Sequence, residues 1–197
     1  MVIAQDRLSQ MLTALSIFII LYLSTYQQST IILFPAILLI TGIVLQIYFM
    51  RKIEYVDSIV EQSPNIAFYT LMALAIIAVG SIIAPAIAKL PQLPKMEITG
   101  MDAILYSILI AIAEEQFFRG ALINLLLMSS RSEFASIIAS AAVFSVYHLA
   151  VYKTDWTAIS FIFVGGIALA WVSVRSGRLS PAMLAHVTNN ILSFMLK

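Results

Sequence analysis

The sequence predicts an all-α fold, a polytopic transmembrane helix bundle of about seven membrane helices, and three observations carry that expectation. Hydrophobic residues make up 61% of the chain and charged residues only 11%, against roughly 25% charged in an ordinary soluble domain. The mean hydropathy is correspondingly high, at +0.99. Apolar segments at 8–25, 29–50, 66–88, 101–127, 134–152, 157–175 and 181–196 approach the ~20 residues a helix needs to cross the bilayer core. Alternating ten-residue strands, the mark of a membrane barrel, are missing from the pattern.

The segments follow one another with well-marked breaks. In the first, Arg7 ahead of an apolar stretch resembles a leader. Asp6 interrupts the leading region, however, and Ser24-Thr25-Tyr26-Gln27-Gln28 offers no small-x-small cleavage pattern, so an uncleaved span is expected. The second segment ends at a polar, amphipathic connector, 51–65, and the third at the stiff Leu90-Pro91-Gln92-Leu93-Pro94-Lys95. The fourth would be ~40 Å long at 1.5 Å per residue, longer than a bilayer needs, which places Arg119 or its neighbours near a boundary or a kink. Short turns at 129–133 and 153–155 bound the fifth. Gly177 suits the C-terminus of the sixth helix, and Ser180 followed by Pro181 suits an N-cap with proline at the first helical position of the seventh. One membrane domain, 1–197, is expected, with 1–100 as N-terminal helices and 101–197 as the functional core. Seven spans with the amino terminus inside put Arg7, Arg51, Lys52, Arg131, Arg175 and Arg178 on the inner side. Lys89, Lys95, Lys153 and Lys197 then lie outside, a small bias in the expected direction.

Composition excludes several functions. A net charge of +1 with no basic run gives no footprint for a nucleic-acid partner. With no cysteine there is no disulfide, no thiolate nucleophile and no cysteine metal ligand.

What remains is a set of ionisable groups in segments that should avoid them. Each costs ~2.5–3.5 kcal/mol in the hydrocarbon on insertion scales, so such groups usually face one another or a wet cavity. The two histidines of the chain, His148 and His186, lie in the fifth and seventh segments, and Glu114, Glu115 and Arg119 lie in the fourth. Glu115 and Arg119 are four apart and share a helix face. Arg119 can therefore hold Glu115 as an ion pair while Glu114 points about 100° away, free to act as a base. His186 and Asn190 are likewise four apart, and an imidazole or an amide can donate to an oxyanion. Each feature alone has a bland reading: a structural Glu–Arg pair, an interhelical histidine hydrogen bond, a packing amide.

A depth check qualifies their convergence. Counted from Met101, Glu114 lies ~20 Å along the fourth helix, while His148 lies ~21 Å along the fifth and His186 ~8 Å along the last. Glu114 and His186 then match in depth, and His148 falls ~10 Å away unless the fourth helix slides or the fifth tilts. Small residues, Ala135, Ala139 and Ala142 on the fifth segment and Gly166 and Ala170 on the sixth, read as generic helix packing.

Glu114-Glu115-x-x-x-Arg119, Phe144-x-x-x-His148 and His186-x-x-x-Asn190, in that order on hydrophobic helices, resemble the three motifs of the CPBP family. These are CAAX proteases and bacteriocin-processing or immunity enzymes, including type II CAAX prenyl endopeptidases. Arg-x-Gly-x-Leu-x-Pro at 175–181 strengthens the likeness, which covers roughly 101–196. The resemblance implies an intramembrane endopeptidase acting on a prenylated CAAX tail or another membrane-associated peptide. By position, Glu114 would activate water with His148, and His186 and Asn190 would stabilise the oxyanion. Glu115 and Arg119 would hold the geometry, and Phe144 would shape the pocket. The family name metalloprotease raises a divalent cofactor such as zinc, for which Glu114, His148 and His186 are the available ligands; the metal-free glutamate mechanism is preferred. Two competing readings are a non-proteolytic immunity-type or scaffold protein that kept the motifs, and a proton-coupled transporter. The second is disfavoured because the ionisable groups cluster in one half of the chain.

Overall fold

The structure, a computed structural model, describes residue 15 and residues 33–50, 65–80, 101–153 and 155–195. Among these, every regular element is helical, as the composition predicts. Helices α1 (Leu33–Met50) and α2 (Ile66–Ala78) precede a long helix made of α3 (Met101–Glu115), a π-helical stretch (Gln116–Leu122) and α4 (Ile123–Ser130). Then come α5 (Glu133–Tyr147), the single turn α6 (Leu149–Tyr152), α7 (Trp156–Ser176) and α8 (Ser180–Met195). The expected first segment, the connector 51–64 and the proline-containing stretch 90–95 lie outside the described residues.

Two helical stretches are long and apolar enough to cross a membrane, Glu133–Tyr152 and Trp156–Ser176. Their outward faces, and those of α1 and α2, carry exposed Ile40, Val44, Leu71, Phe134 and Val164, as expected of a lipid-facing surface. The Met101–Ser130 helix is longer still and carries Glu114, Glu115 and Arg119 midway.

Local chemistry sets the helix ends. Ser132 accepts a hydrogen bond from Ala135 N at 3.3 Å to start α5, and Asp155 accepts one from Ala158 N at 3.0 Å to start α7. Gly177 ends α7 at φ 61, the left-handed conformation the sequence anticipates. The cap of α8 is shifted by one residue: Leu179 O accepts from Met183 N at 3.0 Å, so Ser180 is already helical.

The π-helical stretch is the kink the overlong fourth segment foreshadows. Ile123 N reaches back five residues to Phe118 O, which widens the turn and frees carbonyls that α-geometry would use. Asn124 Nδ2 donates to Gly120 O at 2.7 Å, and Ser140 Oγ donates to Phe118 O at 3.3 Å. Helix α1 packs directly on this stretch: a Cβ built on Gly42 would lie 3.0 Å from the backbone of Gln116 and Phe117. Gln116 and Gln46 join the two helices by a side-chain hydrogen bond.

The core around the site is Leu38, Ile110, Ala113, Phe117, Phe118, Leu122, Leu126, Phe144 and Tyr147. A second cluster joins α2 to α7 and α8 through Tyr69, Ala73, Ile77, Leu169, Val172, Ala182 and Ala185. The small-residue stripe of the fifth segment needs correcting. Ala135 is exposed, Ala139 and Ala142 are half-buried, and the buried small residues of α5 are Ser136, Ser140, Ala141 and Ser145.

Candidate active site

The midpoint of the long helix, its hairpin partner α5 and the first half of α8 meet at Glu114. This glutamate is 3% exposed, Glu115 0%, Arg119 3% and His186 8%. Such groups are almost never buried unless paired, and here they are paired with one another.

Arg119 Nη1 lies 3.1 Å from Glu115 Oε1, the i,i+4 ion pair the spacing predicts. The guanidinium also donates from Nη2 to Gly166 O at 3.5 Å, and its Cζ stands 4.2 Å from the centre of the Phe144 ring, close enough for a cation–π contact. Glu115 Oε2 and Arg119 Nε are buried with no hydrogen-bond partner among the described residues.

The histidines are set by what holds their Nδ1 atoms. His148 Nδ1 lies 2.8 Å from Phe144 O; a carbonyl can only accept, so Nδ1 carries the proton and Nε2 is left facing the site. His186 Nδ1 lies 2.7 Å from Glu115 Oε1, and the carboxylate takes that proton in the same way. Both Nε2 atoms then turn to Glu114: His148 Nε2 is 4.0 Å from Oε1, and His186 Nε2 is 3.5 Å from Oε2. Glu115 thus has a second task that the spacing alone does not suggest, since it orients His186 as well as pairing with Arg119.

The expected depth gap of His148 closes for a simple reason. Measured from the tight turn at Arg131 that joins the two helices, Glu114 and His148 are each seventeen residues away, so the hairpin arms have equal length. The earlier mismatch arose from giving each helix its own starting point in the bilayer. At His148 (φ −78, ψ −8) the helix tightens, and the His148 N–H bonds to Ser145 O at 3.1 Å.

Phe144 packs at the centre of this arrangement. Its ring centroid is 4.5 Å from that of His148, 6.0 Å from His186 and 4.9 Å from Phe118. Gly166 makes room for it, since a Cβ there would sit 3.4 Å from Phe144 Cδ1 and 3.3 Å from Ala141 Cα. The Gly166/Ala170 pair, read from sequence as packing without functional content, therefore includes one residue that touches the site. Asn190 stands apart from the rest. Its Nδ2 donates to Ser107 O at 3.1 Å, and its Oδ1 accepts from Asn189 at 3.4 Å. It shares a helix face with His186 but lies one turn further along α8, toward the Met101 end of α3.

Sequence reasoning also passed over Tyr147. It is fully buried, with its ring 4.9 Å from that of His148 and 5.5 Å from that of Phe118. Its position beside a motif histidine was the one available signal.

Residues 98–192 match the family model of the type II CAAX prenyl endopeptidase Rce1-like proteins. This segment, just under half of the chain, is similar to the Rce1-like domain. The Rce1-like family is a membrane-embedded protease family, and the matched stretch holds every residue described above from Ser107 to Asn190. Comparison with curated proteins and with solved structures gives no match. Among the described residues, no three His, Cys, Asp or Glu side chains are grouped closely enough to hold one ion.

Proposed function

We propose that the chain is a multi-pass intramembrane endopeptidase that hydrolyses peptide bonds of membrane-associated substrates, prenylated CAAX-type tails among them, through a water activated by Glu114 and His148. The observation that carries this reading is the pair of acceptors at 4.0 Å: the Glu114 carboxylate and the bare His148 Nε2. Two acceptors at that separation are satisfied together by a proton donor between them, and a water molecule supplies both protons.

The chemistry then runs through named atoms. Glu114 takes a proton from that water as its oxygen attacks the scissile carbonyl, and later returns the proton to the leaving amine. His148, held by Phe144 O, aligns the attacking oxygen. His186 is fixed at Nδ1 by Glu115, so its Nε2 edge is the one turned to the reacting carbonyl; carrying a proton, it donates to the oxyanion. Asn190 has one amide N–H committed to Ser107 and contributes the other. Arg119 neutralises Glu115 and so leaves Glu114 as the carboxylate free to move protons.

The test is hydrolysis by the purified, reconstituted full chain of a farnesylated peptide ending in a CAAX sequence, followed by mass spectrometry in ¹⁸O-labelled water. The reading predicts one labelled oxygen in the newly formed carboxylate of the prenylated product. An intact peptide throughout, with the protein folded, would count against it. It would favour the non-proteolytic immunity or scaffold reading.

A further inference from the structure

The active-site chemistry leaves one polar cavity unused. It has a volume of about 100 Å³ and lies between α1, the long helix and the turn from α7 to α8. Arg119 and Asn124 line it from the long helix, Gln46 from α1, Ser173 from α7, and Arg178 and Leu179 from the turn. Glu114 and the two histidines do not border it, and none of its lining residues is acidic.

The floor of the cavity carries donors without acceptors. Arg119 is 3% exposed and Ser173 7%, and Arg119 Nε and Ser173 Oγ have no hydrogen-bond partner among the described residues. Gln46 accepts from Gln116 through its Oε1, which leaves its own amide N–H groups uncommitted. At the rim, Arg178 is exposed and has no ion-pair partner among the described residues, whereas nearby Arg175 is held by Glu133 at 2.8 Å. Leu179 O accepts the first hydrogen bond of α8, so the positive end of that helix also borders the cavity. Arg119 is balanced by Glu115; the charge of Arg178 and the helix end are not balanced in this way. Such a combination suits an oxyanion. Space for roughly three waters at ~30 Å³ each also admits one five-atom phosphate group.

Position decides the source of that phosphate. α7 is long and apolar enough to cross a membrane, so the turn that follows it lies at the depth of lipid headgroups. Beside Gln46, the exposed Ile43 and Ile47 of α1 offer an apolar face to acyl chains. Basic pockets between membrane helices hold lipid headgroups in this way. We propose that the cavity binds the phosphate group of an anionic phospholipid, with Arg178 at the rim and Arg119 and Ser173 at the floor. The site goes beyond the peptidase reading and requires only that the chain be embedded in a membrane.

The test is calorimetric titration of the purified full chain, in neutral detergent, with dioctanoyl phosphatidylglycerol, dioctanoyl phosphatidylcholine and sodium phosphate. Phosphatidylglycerol is expected to saturate one site about five-fold more tightly than either of the others. Arg178→Gln, at an exposed position, should weaken that binding by about ten-fold, and Ser173→Ala by about five-fold. Arg131→Gln, which removes another exposed arginine at the turn between α4 and α5, should change it by less than about two-fold. Equal affinity for the two lipids would overturn the proposal, as would unaltered phosphatidylglycerol binding in Arg178→Gln and Ser173→Ala. An equal loss in Arg131→Gln would also overturn it, by showing attraction to surface charge at large. Inorganic phosphate binding as tightly as phosphatidylglycerol would give the cavity to a free ion and contradict the lipid assignment.

Discussion

At the scale of single residues, the two adjacent glutamates differ because of what each faces. Glu115 is claimed on one side by Arg119 at 3.1 Å and on the other by His186 at 2.7 Å, so its charge is spent on structure. Removing one partner of a buried ion pair leaves the other uncompensated, at a cost of about 3–5 kcal/mol. Arg119→Ala is therefore expected to lower the unfolding free energy by about that amount and to lose activity as well; an unaltered melting temperature would contradict the pairing. His186→Ala removes the imidazole that Glu115 orients. It is expected to reduce kcat by roughly 10²–10³-fold with little change in KM, as for loss of an oxyanion donor. The Glu115–Arg119 pair was legible in the sequence because i,i+4 spacing is a local property of any helix. The bonds from His186 to Glu115 and from Asn190 to Ser107 were not, because each partner is chosen by how separate helices pack.

Element geometry explains why the site forms at all. The turn at Arg131 joins two arms of seventeen residues each, which brings Glu114 and His148 together. Counting residues from that turn would have shown this in the sequence, whereas counting from assumed membrane boundaries hid it. The π-helical stretch was less accessible, because Gln116-Phe117-Phe118-Arg119-Gly120-Ala121-Leu122 carries no proline and reads as an ordinary apolar turn. Its widened geometry depends on Asn124, Ser140 and the close approach of α1 at Gly42. Gly166 tests the contact between α5 and α7. Gly166→Ala would push a methyl to 3.3 Å from Ala141 Cα and 3.4 Å from the Phe144 ring. Helix backbone cannot yield as a flexible side chain does, so overpacking is expected to cost about 1–3 kcal/mol and to displace Phe144 from its place between Arg119 and the histidines. Thermal unfolding with a parallel kcat measurement checks both; full stability and activity would show that α7 sits further from α5 than described.

For the whole molecule, composition made the all-helical class plain, since so few charges cannot cover a soluble surface. The number of spans is harder to read, because lipid-facing and protein-facing helix sides are equally apolar and leave little periodicity. We propose about seven spans, with the charge asymmetry of the loops setting the orientation. Cysteine labelling of single substitutions at the loops of a cysteine-free chain would map them, and opposite accessibility of positions 131 and 153 is expected. Metal dependence belongs to this scale too. With no three ligands grouped for one ion among the described residues, the purified protein is expected to hold well under one zinc per chain and to keep its activity in a chelator. Stoichiometric zinc with chelator-sensitive cleavage would reverse that assignment. Both histidine Nε2 atoms converge on Glu114. The most direct measurement is therefore cleavage of the farnesylated CAAX peptide by reconstituted Glu114→Gln, a change that keeps shape and hydrogen-bonding capacity while removing the base. The account predicts no detectable cleavage from a protein that inserts and melts as wild type does, whereas cleavage at the wild-type rate would contradict it.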